Sequence, residues 1–209
     1  MEKSDERDRL YRMMEYERAL WDQGFQLVAG MDEAGRGPLA GPVVAACVLL
    51  PHGFTLEGIN DSKKISPKKR NELYDQIMSI ALAVGIGMID AKEIDRVNIL
   101  NATRNAMEMA VKEMAIQADY LLIDALENLE IPIPHKGIIK GDEKSHSIAA
   151  ASIIAKVTRD RYMGEMDRYY PEYGFGKHKG YGTKAHIQAI QLYGPCPIHR
   201  KTFIRKYTV

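Results

Sequence analysis

Cysteine is nearly absent: Cys47 and Cys196 are the only two in 209 residues. Two thiols give no disulfide framework and no cysteine-based zinc motif. Cys47 lies inside the apolar run Val43–Leu50 and reads as a small buried hydrophobe. No uninterrupted apolar stretch approaches the roughly 18 residues of a membrane span. Residues 1–20 mix Glu, Asp, Lys and Arg without the apolar segment of a signal peptide. A soluble, cytoplasmic protein without membrane association is expected. Charge of one sign is missing too: 29 Lys and Arg against 28 Asp and Glu leave a formal net charge of +1. That average neither supports nor excludes nucleic acid as a partner, so local clusters must decide. There is no internal repeat and no low-complexity linker.

Apolar residues at 45% and charged residues at 27% predict a chain that folds. Its length suits one domain with a small helical appendage. Residues 5–23 place Leu10, Met13, Met14, Tyr16, Leu20 and Trp21 at spacings near 3.6, which predicts an amphipathic helix. Residues 1–24 are therefore read as an N-terminal helical extension, and 25–209 as the main domain with a helical C-terminal segment. A strand over Gln26–Met31 runs into Asp32-Glu33-Ala34-Gly35-Arg36-Gly37, whose glycines end it, so Asp32 and Glu33 sit at its carboxyl end. Gly41-Pro42 restarts the chain as Val43–Leu50, a buried strand and antiparallel neighbour. Ser66-Pro67 starts a helix through Leu82 that buries Leu73, Ile77 and Ile80. A strand over Ala83–Ile89 and a short helix over Ala91–Val97 follow. Asn98 caps a helix reaching Gln117, with Leu100, Met107, Val111 and Met114 on one face. Tyr120–Asp124 is a strand that again ends in an acid. Asn128–Pro134 is a turn-rich connection and Gly137–Lys140 the fifth strand. A helix over Ser145–Tyr169 opens with small residues suited to close packing on a sheet, and Thr183 caps a last helix through Tyr193. Lys201–Val209 is expected to be a loose tail. The order predicts an α/β fold with a mixed sheet.

Four carboxylates, Asp32, Glu33, Asp124 and Asp142, lie where strands end or helices begin. Each alone is as readily a turn or cap residue. Together, at one sheet edge, they would raise one another's pKa unless cations neutralise them. Hard oxygen ligands select Mg²⁺ or Mn²⁺, and two such ions are the standard device for displacement at phosphorus. Adjacent residues of a regular strand point to opposite faces, so Asp32 and Glu33 share a site only if the strand end twists or bulges.

The string Met31-Asp32-Glu33-Ala34-Gly35-Arg36-Gly37-Pro38-Leu39-Ala40-Gly41-Pro42-Val43-Val44 resembles the opening signature of the bacterial ribonuclease HII family. The resemblance continues through Asn60-Asp61-Ser62-Lys63-Lys64, Leu122-Ile123-Asp124, Lys140-Gly141-Asp142-Glu143-Lys144-Ser145, the run from Ala149 to Arg161, and His178-Lys179-Gly180-Tyr181. It spans about residues 26–203 in order. It implies a ribonuclease H-like five-stranded mixed sheet flanked by helices. It also implies an endonuclease that cuts the RNA strand of RNA–DNA hybrids and nicks DNA 5′ of embedded ribonucleotides, leaving 3′-hydroxyl and 5′-phosphate ends. Asp32, Glu33 and Asp124 match the family's principal metal ligands, and Asp142 its fourth active-site acid. The Gly35-Arg36-Gly37 turn matches the reader of the 2′-hydroxyl, and Tyr181 the tyrosine that packs on the following deoxyribose. A tight glycine turn that brings backbone groups to a sugar is a sensible way to tell RNA from DNA.

Among the basic residues, Lys63, Lys64, Lys68, Lys69 and Arg70 cluster at a helix start, while Lys177, Lys179 and Lys184 flank Tyr181. Lys68–Arg70 reads as a solvated face. Ser62, Lys63 and Ser145 are the better phosphate candidates because each adjoins a motif. His178 either assists the leaving group or donates a structural hydrogen bond. Asp160 lies four residues after Lys156, the spacing of a surface ion pair. A monomer is expected. Type 3 ribonuclease H carries Gly-Thr-Gly where this chain has Gly-Arg-Gly, and no N-terminal platform domain is expected here. A non-catalytic hybrid-binding protein and a resolvase of the same fold compete with the nuclease reading; the intact set of four acids argues against the first.

Overall fold

The computed structural model describes residues 3–126 and 129–208. Asn128, where the turn-rich connection is expected to start, lies outside the described residues, as do Met1 and Glu2 of the extension and Val209 of the tail. The helices are α1 (Lys3–Met13), α2 (Glu15–Trp21), α3 (Pro67–Ile80), α4 (Ala91–Val97), α5 (Ile99–Lys112), α6 (Gly141–Lys144), α7 (His146–Tyr169), α8 (Phe175–His178), α9 (Lys184–Tyr193) and α10 (Lys201–Ile204). The strands are β1 (Val28–Ala34), β2 (Val43–Leu49), β3 (Ala83–Ile89), β4 (Tyr120–Asp124) and β5 (His135–Ile138).

One five-stranded sheet runs β3-β2-β1-β4-β5. β1 pairs antiparallel with β2, and β2 with β3, while β1–β4 and β4–β5 are parallel. This is the mixed α/β sheet expected. Both faces are covered. On one, Ala29, Met31, Ala45, Cys47, Leu121 and Ile123 pack against Ala102, Ala106, Met107 and Ala110 of α5. On the other, Ala46 and Val48 meet Leu73 and Ile77 of α3 and the alanine-rich start of α7.

Several boundaries differ from expectation. The N-terminal helix is two helices, since Met14 leaves helical geometry at φ −99°, ψ 11°. α5 stops at Lys112 rather than Gln117, and Leu100 faces solvent because the buried stripe runs through Ala102, Ala106 and Ala110. Ile80 is only half-buried. β5 lies two residues earlier than expected, since Lys140 is in the left-handed region (φ 57°) and cannot continue a strand. The tail is tied down as far as α10. Ile204 is buried beside Leu39, Met163 and Phe175, and the Lys201 and Thr202 amides donate to Asp95 (2.7 and 2.9 Å).

Candidate active site

Two acids come off neighbouring parallel strands. The β1–β4 register ends at Met31↔Ile123, so the next residue on each strand is a carboxylate, Asp32 or Asp124. Alternation puts both on the α7 side of the sheet, with Gly30 and Leu122. Leu122 packs on Ile148 of α7, and a Cβ at Gly30 would overlap the Ser147 backbone, so helix and strand are in direct contact beneath the acids. Asp142 arrives on α6, where the Gly141 amide donates to Asp124 Oδ1 (2.7 Å). One carboxylate oxygen from each of Asp32, Asp124 and Asp142 lies within 4.8 Å of the other two.

Glu33 is outside that group of three. β1 continues unbroken through Glu33↔Ala45 and Ala34↔Val44, so no bulge turns its side chain to the face of Asp32. Its Oε1 meets Arg36 Nη1 at 3.3 Å, and its Oε2 is buried without a hydrogen-bond partner. It is still close enough for its charge to act on Asp32, and for Asp124 to act on it.

All four acids hold their protons more tightly than usual. Burial, then the charges of Glu33 and Asp124, push Asp32 well above the carboxylate range, partly offset by Ser152. Burial raises Glu33 against the lowering effect of Arg36. Burial also raises Asp124 in spite of the Gly141 amide. Asp142 is pushed up to about 6 by burial, then by Asp124 and Asp61. Lys63 is the facing cation: burial lowers its pKa, but Asp61, Asp32, Asp142 and Asp124 together raise it. Asp61 is a fifth acid bearing on the cluster. Sequence reasoning misses its role, although it stands in the Asn60-Asp61-Ser62-Lys63 string.

Beside the acids, the Gly35–Gly37 turn is braced from behind by two buried arginines. Arg200 Nη2 donates to the Gly35 carbonyl (2.6 Å), Nη1 to the Arg36 carbonyl (2.9 Å) and Nε to the Gly41 carbonyl (3.0 Å). Arg159 donates to the carbonyls of Pro42 (2.9 Å), Ala40 (3.0 Å) and Lys179 (3.0 Å). Gly35 has φ +98°, and a Cβ there would overlap the Arg159 guanidinium, so glycine is required twice over. A trans peptide points its N–H and C=O in opposite directions. With the Gly35 and Arg36 carbonyls turned to Arg200, the Arg36 and Gly37 amides point away from it. The Tyr181 ring is 45% exposed and lies next to Gly37, with Cε1 3.9 Å from a Cβ built there.

The family model described as Ribonuclease HII matches residues 29–206. The chain belongs to the ribonuclease HII family. Relatives bearing that name are 55% identical over 98% of this chain and 80% of the protein from Acetivibrio thermocellus, and 58% identical over 91% of this chain and 88% of the protein from Geotalea uraniireducens. The structure is similar to that of ribonuclease H2 from Pyrococcus horikoshii, with TM-score 0.73 and 28% identity over 86% of this chain and 96% of that one. This ribonuclease HII family member is thus an enzyme of the ribonuclease H class, an endoribonuclease of RNA–DNA hybrids. Among the described residues no helix is long and apolar enough to cross a membrane.

Other expected site residues of this family member sit elsewhere. Ser145 is fully buried; its hydroxyl donates to Glu17 Oε1 (2.6 Å) and caps α7 by accepting from the Ile148 amide, so it is not presented to a phosphate. Ser62 is buried with its hydroxyl 2.9 Å from that of Ser152, behind Asp32 rather than on an open loop. Lys68 is exposed and Lys69 half-buried, but Arg70 is not part of a solvated face: it is buried and donates to the Ser62 and Ile65 carbonyls (2.7 and 2.8 Å). His178 is structural, its ring bridging the Tyr173 carbonyl (2.8 Å) and the Gly180 amide (3.2 Å). Asp160 pairs with Lys156 at 2.7 Å as its spacing predicts, and also lies 3.9 Å from Arg70. Sequence reasoning also misses Arg159 and Arg200. Arg159 continues the small buried stripe Ala151–Ala155 at a spacing of four, a usable signal; Arg200 has none.

Proposed function

We propose that this enzyme nicks DNA on the 5′ side of embedded ribonucleotides, as well as cutting longer hybrids, by two-metal-ion hydrolysis that leaves 3′-hydroxyl and 5′-phosphate ends. The observation that carries the reading is the convergence of Asp32, Asp124 and Asp142 within 4.8 Å at the carboxyl ends of β1 and β4. The donor set fits hard divalent cations: it is all oxygen and acid-rich, and it adjoins a buried, unpartnered Glu33 Oε2. Asp32, Asp124 and Asp142, joined by Glu33, would hold Mg²⁺ or Mn²⁺, whose chemistry is activation of water and neutralisation of charge at phosphorus.

The chain's own groups do the rest. The outward amides of Arg36 and Gly37 meet the ribose 2′-hydroxyl, the feature that separates RNA from DNA. Arg36, anchored at Glu33, holds a phosphate with its remaining donors, and Lys63 offsets the negative field that would repel the backbone. Tyr181 offers an aromatic face to the next deoxyribose, which needs no sequence preference. We take residues 25–209 as the catalytic domain with its C-terminal helical segment and residues 1–24 as the helical extension. The enzyme acts as a cytoplasmic monomer on replicated DNA, where a nick at a lone ribonucleotide opens excision repair.

The test is cleavage of a duplex containing one ribonucleotide beside a continuous hybrid of equal length. The wild type nicks both with Mg²⁺ or Mn²⁺, and Asp124→Asn abolishes nicking while keeping a native circular dichroism spectrum. Near-normal cutting by Asp124→Asn overturns the metal role. A wild type that ignores the lone ribonucleotide overturns the substrate assignment.

A further inference from the structure

Residues 3–24 precede the 29–206 span of the family match, yet they hold two of the segments that carry acids to the site, the stretch before Asp61 and the α6–α7 junction after Asp142. Glu6 Oε1 accepts from the Gly58 amide (2.9 Å), and Arg9 Nη2 donates to the Ile59 carbonyl (2.7 Å). These contacts pin the stretch that leads into Asp61 and Lys63. On the other side, Glu17 is almost fully buried. Its Oε1 accepts from Ser145 Oγ (2.6 Å), Ser147 N (3.0 Å) and Ser147 Oγ (2.7 Å).

Ser145 is the residue between α6 and α7, three positions after Asp142. Ser147 lies in the first turn of the 24-residue α7, against the β1 backbone at Gly30 and two residues from Asp32 along the strand. A carboxylate accepting from that first turn also sits at the positive end of the helix dipole. Glu17 thus ties one end of a long helix, and the short helix bearing Asp142, to a single acceptor atom.

We infer that the N-terminal helical pair is a positioning device for the acid cluster, with Glu17 holding the α6–α7 junction so that Asp142 stays in register with Asp32 and Asp124. The inference rests on the metal reading of those acids given above. Glu17 is a positioning residue, acting only through Ser145 and Ser147. Its loss should loosen the ligand cluster without touching substrate.

The experiment compares wild type, Glu17→Ala, Glu17→Gln and Ser147→Ala. The readouts are kcat and KM on a duplex with one ribonucleotide, and Mn²⁺ binding by calorimetry without nucleic acid. Glu17→Ala should lower kcat and Mn²⁺ affinity by about tenfold or more, with KM for the duplex within about twofold of wild type. Glu17→Gln retains an acceptor oxygen and should stay within about threefold of wild type in both. A folded Glu17→Ala protein with wild-type kcat and Mn²⁺ affinity overturns the inference, as does Glu17→Gln falling as far as Glu17→Ala. If Glu17→Ala does not fold, Ser147→Ala decides, since it removes one donor and adds no buried charge. A fall of about threefold or more in kcat and Mn²⁺ affinity at unchanged KM supports the inference, and wild-type values overturn it. A wild type that binds no Mn²⁺ sinks the metal reading itself, and is thereby told apart from a failure confined to Glu17.

Discussion

Arg200 is buried and forms no ion pair among the described residues, although the charge of Asp95 reaches it; its nitrogens are spent on the carbonyls of Gly35, Arg36 and Gly41. Burial and the nearby Arg159 charge push its pKa down to about 9, which leaves it cationic at neutral pH. A planar fork reaches these carbonyls at once, whereas a lysine is a point charge on a flexible stem. Arg200→Lys should forfeit one or two charge-assisted hydrogen bonds, about 3 kcal/mol at 1.5–3 kcal/mol each. Calorimetry should then show Tm lower by about 6–12 °C in a chain of this size. KM for a ribonucleotide-containing duplex should rise more than kcat falls, because the loss is in orienting the Arg36 and Gly37 amides. An unchanged Tm would show that the fork is dispensable. The acids of the site could be read from sequence because a carboxylate ending an apolar run is a local pattern. Arg200 could not, because a cation in a polar C-terminal stretch looks like any solvated one. Ser145 misled for a related reason: its motif includes Asp142 of the acid cluster, but its own hydroxyl is claimed by Glu17, 128 positions away.

The contact between β1 and the start of α7 sets the geometry of the acids, and it depends on having nothing at Gly30. A methyl group there would occupy the Ser147 backbone, so Gly30→Ala must move the helix away from the strand that carries Asp32. Overpacking of this kind costs about 1–3 kcal/mol, and the upper end applies where backbone rather than a flexible side chain is displaced. The urea midpoint should fall accordingly, with weaker Mn²⁺ binding, and a Gly30→Ala protein of unaltered midpoint would contradict the close approach. Elements delimited by local chemistry were readable from sequence. β3 and β4 have the expected ends because their apolar runs stop at Asp90 and Asp124, and α4 because Asp90 caps its start and Asn98 caps the helix that follows it. Elements whose limits depend on tertiary neighbours were less so. Ile138-Ile139 looks like the middle of a strand, but only Ile138 turns inward, Ile139 is 75% exposed, and the left-handed Lys140 ends the run so that Gly141 can bond Asp124. The expected face of α5 favoured large residues, whereas the sheet accepts its alanines.

A cluster of buried acids opposes folding when nothing neutralises it, and this sets how the molecule as a whole responds to pH. Asp32, Glu33, Asp124 and Asp142 all have folded-state pKa values raised above their ordinary ones, Asp142 to about 6. Between the ordinary and the raised value the folded state holds more protons than the unfolded, so stability falls as pH rises through that window. The cluster's contribution to metal-free stability is therefore fully present below about pH 4, the ordinary carboxylate range, and Asp142's share of it is lost as pH rises through about 6. On the metal reading proposed above, divalent cations should reverse the sign, by binding the ionised acids of the folded state alone. At a concentration about 100 times Kd they add about 2.7 kcal/mol, or about 5–10 °C in Tm for a chain of this length. Thermal scans should show that gain with Mg²⁺ or Mn²⁺ at pH 7.5 and little of it near pH 5, where protons compete for the same oxygens. Asp124→Asn removes one of the repelling charges, so at pH 7.5 it should melt at or above the metal-free wild type and respond weakly to either ion. An equal metal-induced rise in the variant and the wild type would place the ions somewhere other than between Asp32, Asp124 and Asp142.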